Sequence, residues 1–201
     1  MAAFISAIGE GDVVWDVGAF VGLYTVLSAK RAGACGTVCA FEPESWAFDV
    51  LCRNIRLNRL QNVRALRFAL GADNSQAQLF LNRDDPGVVG SMERSAKHQC
   101  GQPITVRRGD HLVAAGEAPV PHLVKIDVEG AEYQVILGMQ DVLRRPECRL
   151  ILLEVHSDDL PRFGATVEDL VRILDQSGFQ IEEQSTRGSE THWLARKGGR
   201  R

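Results

Sequence analysis

At 201 residues, with 45% hydrophobic and 24% charged residues, the chain has the make-up of one soluble globular domain able to bury a full core. Its net charge of −3 leaves no basic footprint for nucleic acid. No apolar run reaches the length of a membrane span and no signal peptide is visible, so neither nucleic acid nor membrane is expected as a partner.

The chain is organised around residues 11–22. Residues 1–8 are a short lead-in with the end of a helix. Val13, Val14, Trp15 and Val17 then make an apolar run of the kind buried in a parallel sheet, with Asp16 near its end. Gly18 and Gly22 follow, and Leu23, Val26, Leu27 and Ala29 begin a helical pattern that runs to Ala32. This is strand, glycine turn, helix, and such a turn lets a ligand approach backbone N–H groups at a helix start. It is not the dinucleotide fingerprint, which needs G-x-G-x-x-G. Asp16 suits a cationic group such as the amino group of a methionine moiety, and disfavours a pyrophosphate.

Residues 36–41 read as a second buried strand, ending in Glu42-Pro43. Rossmann-like folds place an acid at that point to accept hydrogen bonds from ribose hydroxyls. Ser45 is the expected cap of the next helix, whose apolar positions are Trp46, Val50, Leu51, Ile55 and Leu57. Residues 63–69 alternate as a third strand, and residues 77–81 form an extra strand for residues 104–106 to pair with. Residues 82–103 lack periodicity and are rich in Gly, Asp, Arg and Pro, which marks a candidate lid or a surface insertion. Residues 114–121 are a turn-rich connection.

Residues 123–128 are the next buried strand and lead into a helix through Leu137 that carries Glu132. Residues 149–155 are the strongest strand in the sequence, ending near His156. Thr166 caps a helix through Leu170, Val171 and Leu174, closed by Gly178. Residues 179–182 and 191–195 read as a terminal antiparallel hairpin joined by a polar turn at 185–189, and residues 197–201 are a basic tail. Cys35, Cys39, Cys52, Cys100 and Cys148 form no Cys-x-x-Cys pair and are odd in number, which reads as reduced thiols in a cytoplasmic protein.

Four motifs carry a family likeness: Asp16-Val-Gly-Ala-Phe-Val-Gly22, Phe41-Glu42-Pro43, Lys125-Ile-Asp127-Val-Glu129-Gly130-Ala-Glu132 and Leu153-Glu154-Val-His156. In this order and spacing the chain resembles the FkbM-type family of class I S-adenosylmethionine-dependent methyltransferases. The resemblance implies a Rossmann-like α/β fold in one domain, core about residues 9–196. Its seven-stranded sheet is mostly parallel with an antiparallel last strand, and helices cover both faces. It implies S-adenosyl-L-methionine as methyl donor and O-methylation of a small molecule or sugar. By position, Asp16, Gly18 and the loop Ala19, Phe20 and Gly22 hold the methionine part. Glu42, with Pro43, holds the ribose, Ala69 and Leu70 lie by the adenine, and Asp127 sits near the reacting methyl group. Phe20 departs from the family pattern, which more often has Asn there.

The alternatives are a non-catalytic S-adenosylmethionine or nucleotide-binding module, and a nicotinamide dehydrogenase, which the missing third glycine and Asp16 disfavour. For the chemistry, Asp127 is the positioning carboxylate or base and His156 the rival base. Lys125, two residues before Asp127 and so on the same face of the strand, holds Asp127 or steadies the acceptor oxygen. Asp127, Glu129, Glu154 and His156 could build a divalent-metal centre if strand ends converge at the carboxyl edge of the sheet; the other reading is a set of caps and ion pairs with Lys125 or nearby arginines, and a metal is allowed but not expected. A monomer or homodimer acting on a small-molecule substrate completes the expectation.

Overall fold

The computed structural model describes residues 1–81, 100–187 and 190–198. Its centre is a seven-stranded sheet. In chain order its strands are β1 (Val13–Val17), β2 (Thr37–Phe41), β3 (Val63–Leu66), β7 (Leu123–Ile126), β8 (Leu150–His156), β9 (Phe179–Arg187) and β10 (Glu190–Lys197). Across the sheet the order is β3-β2-β1-β7-β8-β10-β9. All neighbours are parallel except around β10, which runs antiparallel to both β8 and β9. This is the sheet the resemblance implies. A smaller sheet of β4 (Ala69–Leu70), β6 (Cys100–Arg107) and β5 (Ser75–Leu81) has the order β4-β6-β5, and the expected pairing holds, with Ala77 opposite Ile104.

β1, β7 and β8 are mainly apolar without polar alternation because the sheet is covered on both faces. On one face Trp15, Phe41, Ile126 and Leu153 pack with side chains of α5 (Glu132–Leu137), α6 (Gln140–Arg144) and α7 (Val167–Gln176). On the other, Val14, Val38, Leu123 and Leu152 pack under α1 (Ala2–Ser6) and α2 (Leu23–Ala32), beside α3 (Ser45–Leu57) with its buried Leu51. None of the described helices is long and apolar enough to cross a membrane. Cys35, Cys39, Cys52 and Cys148 are free.

Several local expectations are corrected. In α2 the buried residues are Thr25, Ser28, Ala29 and Ala32, while Leu23 is 56% exposed; short side chains let this helix lie close to the sheet. Glu44, not Ser45, caps α3, its carboxylate accepting from the N–H groups of Trp46 at 2.9 Å and Ala47 at 2.6 Å. The Ser45 hydroxyl is turned to Gln102 Oε1 at 2.8 Å. The strand expected at 63–69 breaks after Leu66, and Ala69 and Leu70 join the small sheet. The helix after β7 begins at Glu132, as expected, after a turn in which Glu129 (φ 54°) and Gly130 (φ 99°) take left-handed backbone. α4 (Gly109–Ala114), α6 and a 3-10 turn (Leu160–Phe163) had no sequence signal strong enough to read. Cys100 to Pro103 belong to β6 rather than to the candidate lid, whose remaining residues 82–99 lie outside the described residues. Ser185 to Arg187 continue β9 rather than making the turn, and Lys197 ends β10 rather than opening the tail. Thr166 does cap α7, in a reciprocal box with Asp169.

Candidate active site

The carboxyl ends of β1, β2 and β7 meet at one edge of the large sheet, where ligands of open α/β sheets bind. There a cleft opens, bordered by Gly18, Glu42, Pro43, Ala69, Leu70 and Asp127. Leu79 and Ile104 of the small sheet, with Val128 and Ala131, complete its apolar wall. These four were not read as site residues; the pairing of 77–81 with 104–106 was the signal that places Leu79 and Ile104 together. Gln102 pins the small sheet here, donating from Nε2 to the Pro43 carbonyl at 3.0 Å.

Gly18 has φ 73°, and a Cβ there would stand 1.8 Å from the Asp127 carbonyl oxygen, so the close approach of two strand ends requires glycine. Gly22 (φ 92°) starts α2, and a Cβ on it would reach Leu51 at 2.6 Å. Gly22 and Ala19, packed with Ala40 and Leu51, therefore shape the loop without bordering the cleft. Phe20 is also in left-handed backbone, φ 49°, a conformation Asn adopts more readily than Phe. Its N–H donates to Glu42 Oε2 at 2.8 Å.

Glu42 is 5% exposed, and its Oε1 accepts the Glu44 N–H at 2.8 Å. Burial pushes its carboxyl up to about 7, against the pull of these two backbone donors. Each oxygen keeps a lone pair for a further donor.

Asp16, expected to hold the methionine part, is not among the residues that border the cleft. It is 1% exposed; its Oδ2 accepts the Thr25 hydroxyl at 2.5 Å and its Oδ1 faces Lys125 Nζ at 3.5 Å. Lys125 is buried beneath the glycine loop, where its ammonium donates to the Gly18 carbonyl at 2.6 Å and pairs with Asp127 Oδ2 at 3.2 Å. Burial works to lower its pKa, but Asp16 and Asp127 outweigh burial and raise it. Of its two expected roles, holding Asp127 is the one the geometry carries. The β1–β7 register explains the grouping, since Asp16 lies opposite Lys125 and cross-strand partners share a face.

His156, at the end of β8, is 7% exposed. Its Nδ1 lies 2.7 Å from Glu132 Oε1 and its Nε2 lies 3.6 Å from Glu129 Oε2. Burial disfavours the imidazolium, but the bond to Glu132 and the charge of Glu129 push it up to about 9. Glu154, two residues earlier, pairs with His192 Nε2 at 3.0 Å.

A family model described as a methyltransferase FkbM domain matches residues 16–181. The chain is 27% identical over 188 residues to hexuronic acid methyltransferase AglP of Haloferax volcanii, covering 94% of this chain and 72% of that protein. It is 29% identical over 216 residues to 31-O-demethyl-FK506 methyltransferase FkbM of Streptomyces tacrolimicus, covering 92% and 80%. The first curated relatives it matches are spanned over 62–72% of their length. The fold is shared with the crystal structure of methyltransferase FkbM from Methylobacillus flagellatus KT, at TM-score 0.60 and 16% identity over 91% of this chain and 43% of that one.

Proposed function

Because the chain belongs to the methyltransferase FkbM domain family, we propose that its cleft holds S-adenosylmethionine beside Asp127, which receives a hydroxyl of a small molecule or sugar. The observation that carries this reading is that Gly18, Glu42 and Asp127, from three separate strand ends, border one cleft with an apolar far wall. Leu70, Leu79 and Ile104 suit an adenine ring. Glu42 suits the ribose, and the Gly18 turn suits the methionine part. Asp16 acts on the donor through Lys125 and the Gly18 carbonyl rather than by contact. Two relatives are named for a hexuronic acid and for a demethylated FK506, and both names fit a hydroxylated acceptor. The free thiols fit a cytoplasmic enzyme.

Methyl transfer from a sulfonium is an in-line displacement. The acceptor oxygen forms its bond to the methyl carbon as the carbon–sulfur bond breaks, and the hydroxyl proton must leave. This chain's part is to hold the acceptor behind the methyl group and take that proton. Asp127, with its side chain 29% exposed and tethered by Lys125, is placed for both.

Calorimetry tests the donor. S-adenosylhomocysteine is expected to bind and NAD is not; tight NAD binding with no response to S-adenosylhomocysteine overturns the reading.

Glu42→Ala is expected to weaken S-adenosylhomocysteine by roughly 1.5–3 kcal/mol, because the carboxylate makes charge-assisted bonds to the ribose. An unchanged dissociation constant would assign Glu42 to holding the Phe20 and Glu44 backbone alone.

The wild-type affinity carries a pH signature. Only ionised Glu42 has acceptors for both hydroxyls, and the free protein protonates it below about 7. Affinity is therefore expected to be flat above pH 7 and to fall as pH drops below it, by at most tenfold per pH unit. In the free protein the same raised carboxyl acts in the opposite direction. Its contribution to stability is full below the ordinary value of 4.5 and lost as pH rises through about 7. A pH-independent isotherm between pH 5 and 8 would exclude Glu42 as the titrating ribose partner.

A further inference from the structure

Beside the donor cleft, where β7 and β8 leave the sheet, Asp127, Glu129 and His156 each offer one donor atom, and these atoms lie within 4.8 Å of one another. The imidazole is the informative member. It is more than nine-tenths buried, and its Nδ1 donates to Glu132 Oε1 at 2.7 Å. Glu132 has no exposure, and the same oxygen is fixed by the Gly130 N–H at 2.9 Å. That anchoring leaves Nε2 turned toward Glu129 Oε2 at 3.6 Å, longer than a hydrogen bond. A histidine tied through one nitrogen to a buried carboxylate, with the other nitrogen facing carboxylate oxygens, is how proteins fix the tautomer and ring plane of a metal ligand.

Charge points the same way. Asp16 and Asp127 flank the ammonium of Lys125, while Glu129 and Glu132 flank the His156 imidazole, so four carboxylates share one lysine and one histidine. That ammonium faces Oδ2 of Asp127, and Oδ1 is the oxygen left to turn toward the cluster. Glu154 is directed to His192 and is not part of the set.

We propose that Asp127, Glu129 and His156 bind one divalent transition-metal ion, with Glu132 as the positioning residue that orients the imidazole. This reverses the expectation that caps and ion pairs account for these side chains. Two carboxylates and an imidazole suit an ion such as Mn²⁺, whereas Ca²⁺ and Mg²⁺ take all-oxygen sets. Three protein ligands leave coordination positions open toward the cleft. Resting on the methyltransferase reading, the ion's role is to hold and polarise the acceptor hydroxyl, whose proton still passes to Asp127 as the oxygen takes the methyl group. The binding itself does not depend on that reading.

The test is Mn²⁺ titration of chelator-stripped protein followed by electron paramagnetic resonance, where the free-ion signal falls as the ion binds. Calorimetry with S-adenosylhomocysteine is run on the same samples. One Mn²⁺ per chain is expected. Glu129→Gln, at a side chain 32% exposed and so the safer substitution, should remove a ligand and weaken Mn²⁺ by at least about 10-fold. Glu132→Gln should weaken it roughly 10–100-fold without touching the ion. Wild-type protein that binds S-adenosylhomocysteine but takes up no Mn²⁺ overturns the metal site and leaves the methyltransferase reading standing. Mn²⁺ binding unchanged by Glu129→Gln also overturns it, placing the ion elsewhere. Mn²⁺ binding that depends on Glu129, in protein that ignores S-adenosylhomocysteine, supports the site and overturns the donor reading instead.

Discussion

Asp127→Asn is expected to lower kcat by roughly 10²–10⁴-fold, the range for loss of a general base, while S-adenosylhomocysteine affinity stays within a few-fold. The substitution keeps the shape of the side chain and removes its ability to take a proton. The backbone around it is held from both sides. The Asp127 N–H donates to the Val17 carbonyl at 3.1 Å, and Gly18 lies against the Asp127 carbonyl. The carboxylate is therefore aimed by main chain and by Lys125 at 3.2 Å, and an asparagine there should sit in nearly the same place. A fall in kcat with an unchanged KM for the methyl donor is the expected pattern, because the lost interaction is made in the transition state. Single-turnover measurement with any hydroxyl acceptor that turns over checks it. Near-full kcat in the variant would mean that Asp127 neither takes the proton nor positions the acceptor.

The second large effect is on stability. Lys125→Met is expected to destabilise the protein by about 3–5 kcal/mol, the cost of leaving a buried charge without its partner. For a chain of this size that corresponds to a fall of roughly 6–20 °C in Tm. Asp16 is the reason. Its side chain is 1% exposed and Lys125 is the cation that faces it, while the Thr25 hydroxyl supplies a single neutral bond. Without Lys125, Asp16 keeps an uncompensated charge or takes up a proton, and either is costly at neutral pH. Adding Asp16→Asn to Lys125→Met should recover part of the loss, because the two side chains act as a unit. The deficit of the single variant should also shrink as pH falls, starting above the ordinary carboxylate range, because burial raises the Asp16 carboxyl even with Lys125 beside it. Thermal melts of the two variants check both statements. A Lys125→Met protein as stable as wild type, or a double variant no more stable than the single one, would show that Lys125 is not the counter-ion of Asp16.

Much of the architecture is legible in the chain because period encodes burial. β1, β2, β7 and β8 are covered on both faces, so each appears as a mainly apolar run without polar alternation, interrupted by Asp16 in β1, Lys125 in β7 and Glu154 in β8. The Asp-x-Gly turn, the acid after β2 and the Lys-x-Asp-x-Glu run mark three strand ends, and all three do meet at one edge of the sheet. The terminal hairpin is legible from two alternating runs separated by polar residues. α4 and α6, of 6 and 5 residues, span under two turns and leave no repeat to detect.

What only the tertiary structure decided is which side chain faces which. Asp16 reads from sequence as a ligand group because an acid precedes a glycine turn. The pairing of Asp16 with Lys125 across β1 and β7 turns it inward instead, onto a cation 109 positions along the chain. Glu132 and His156 are 24 residues apart and meet only because α5 folds back over the end of β8. Leu79 and Ile104 become a wall of the cleft only when β5 and β6 pair and Gln102 pins them to Pro43. The sequence by itself determined the strands, the turns and the family of chemistry, because apolar period and glycine placement are local properties of the chain. Register and packing determined the partners of its buried charges, because a charge taken out of water is stabilised by whatever the fold brings within a few ångströms, and no local pattern encodes that.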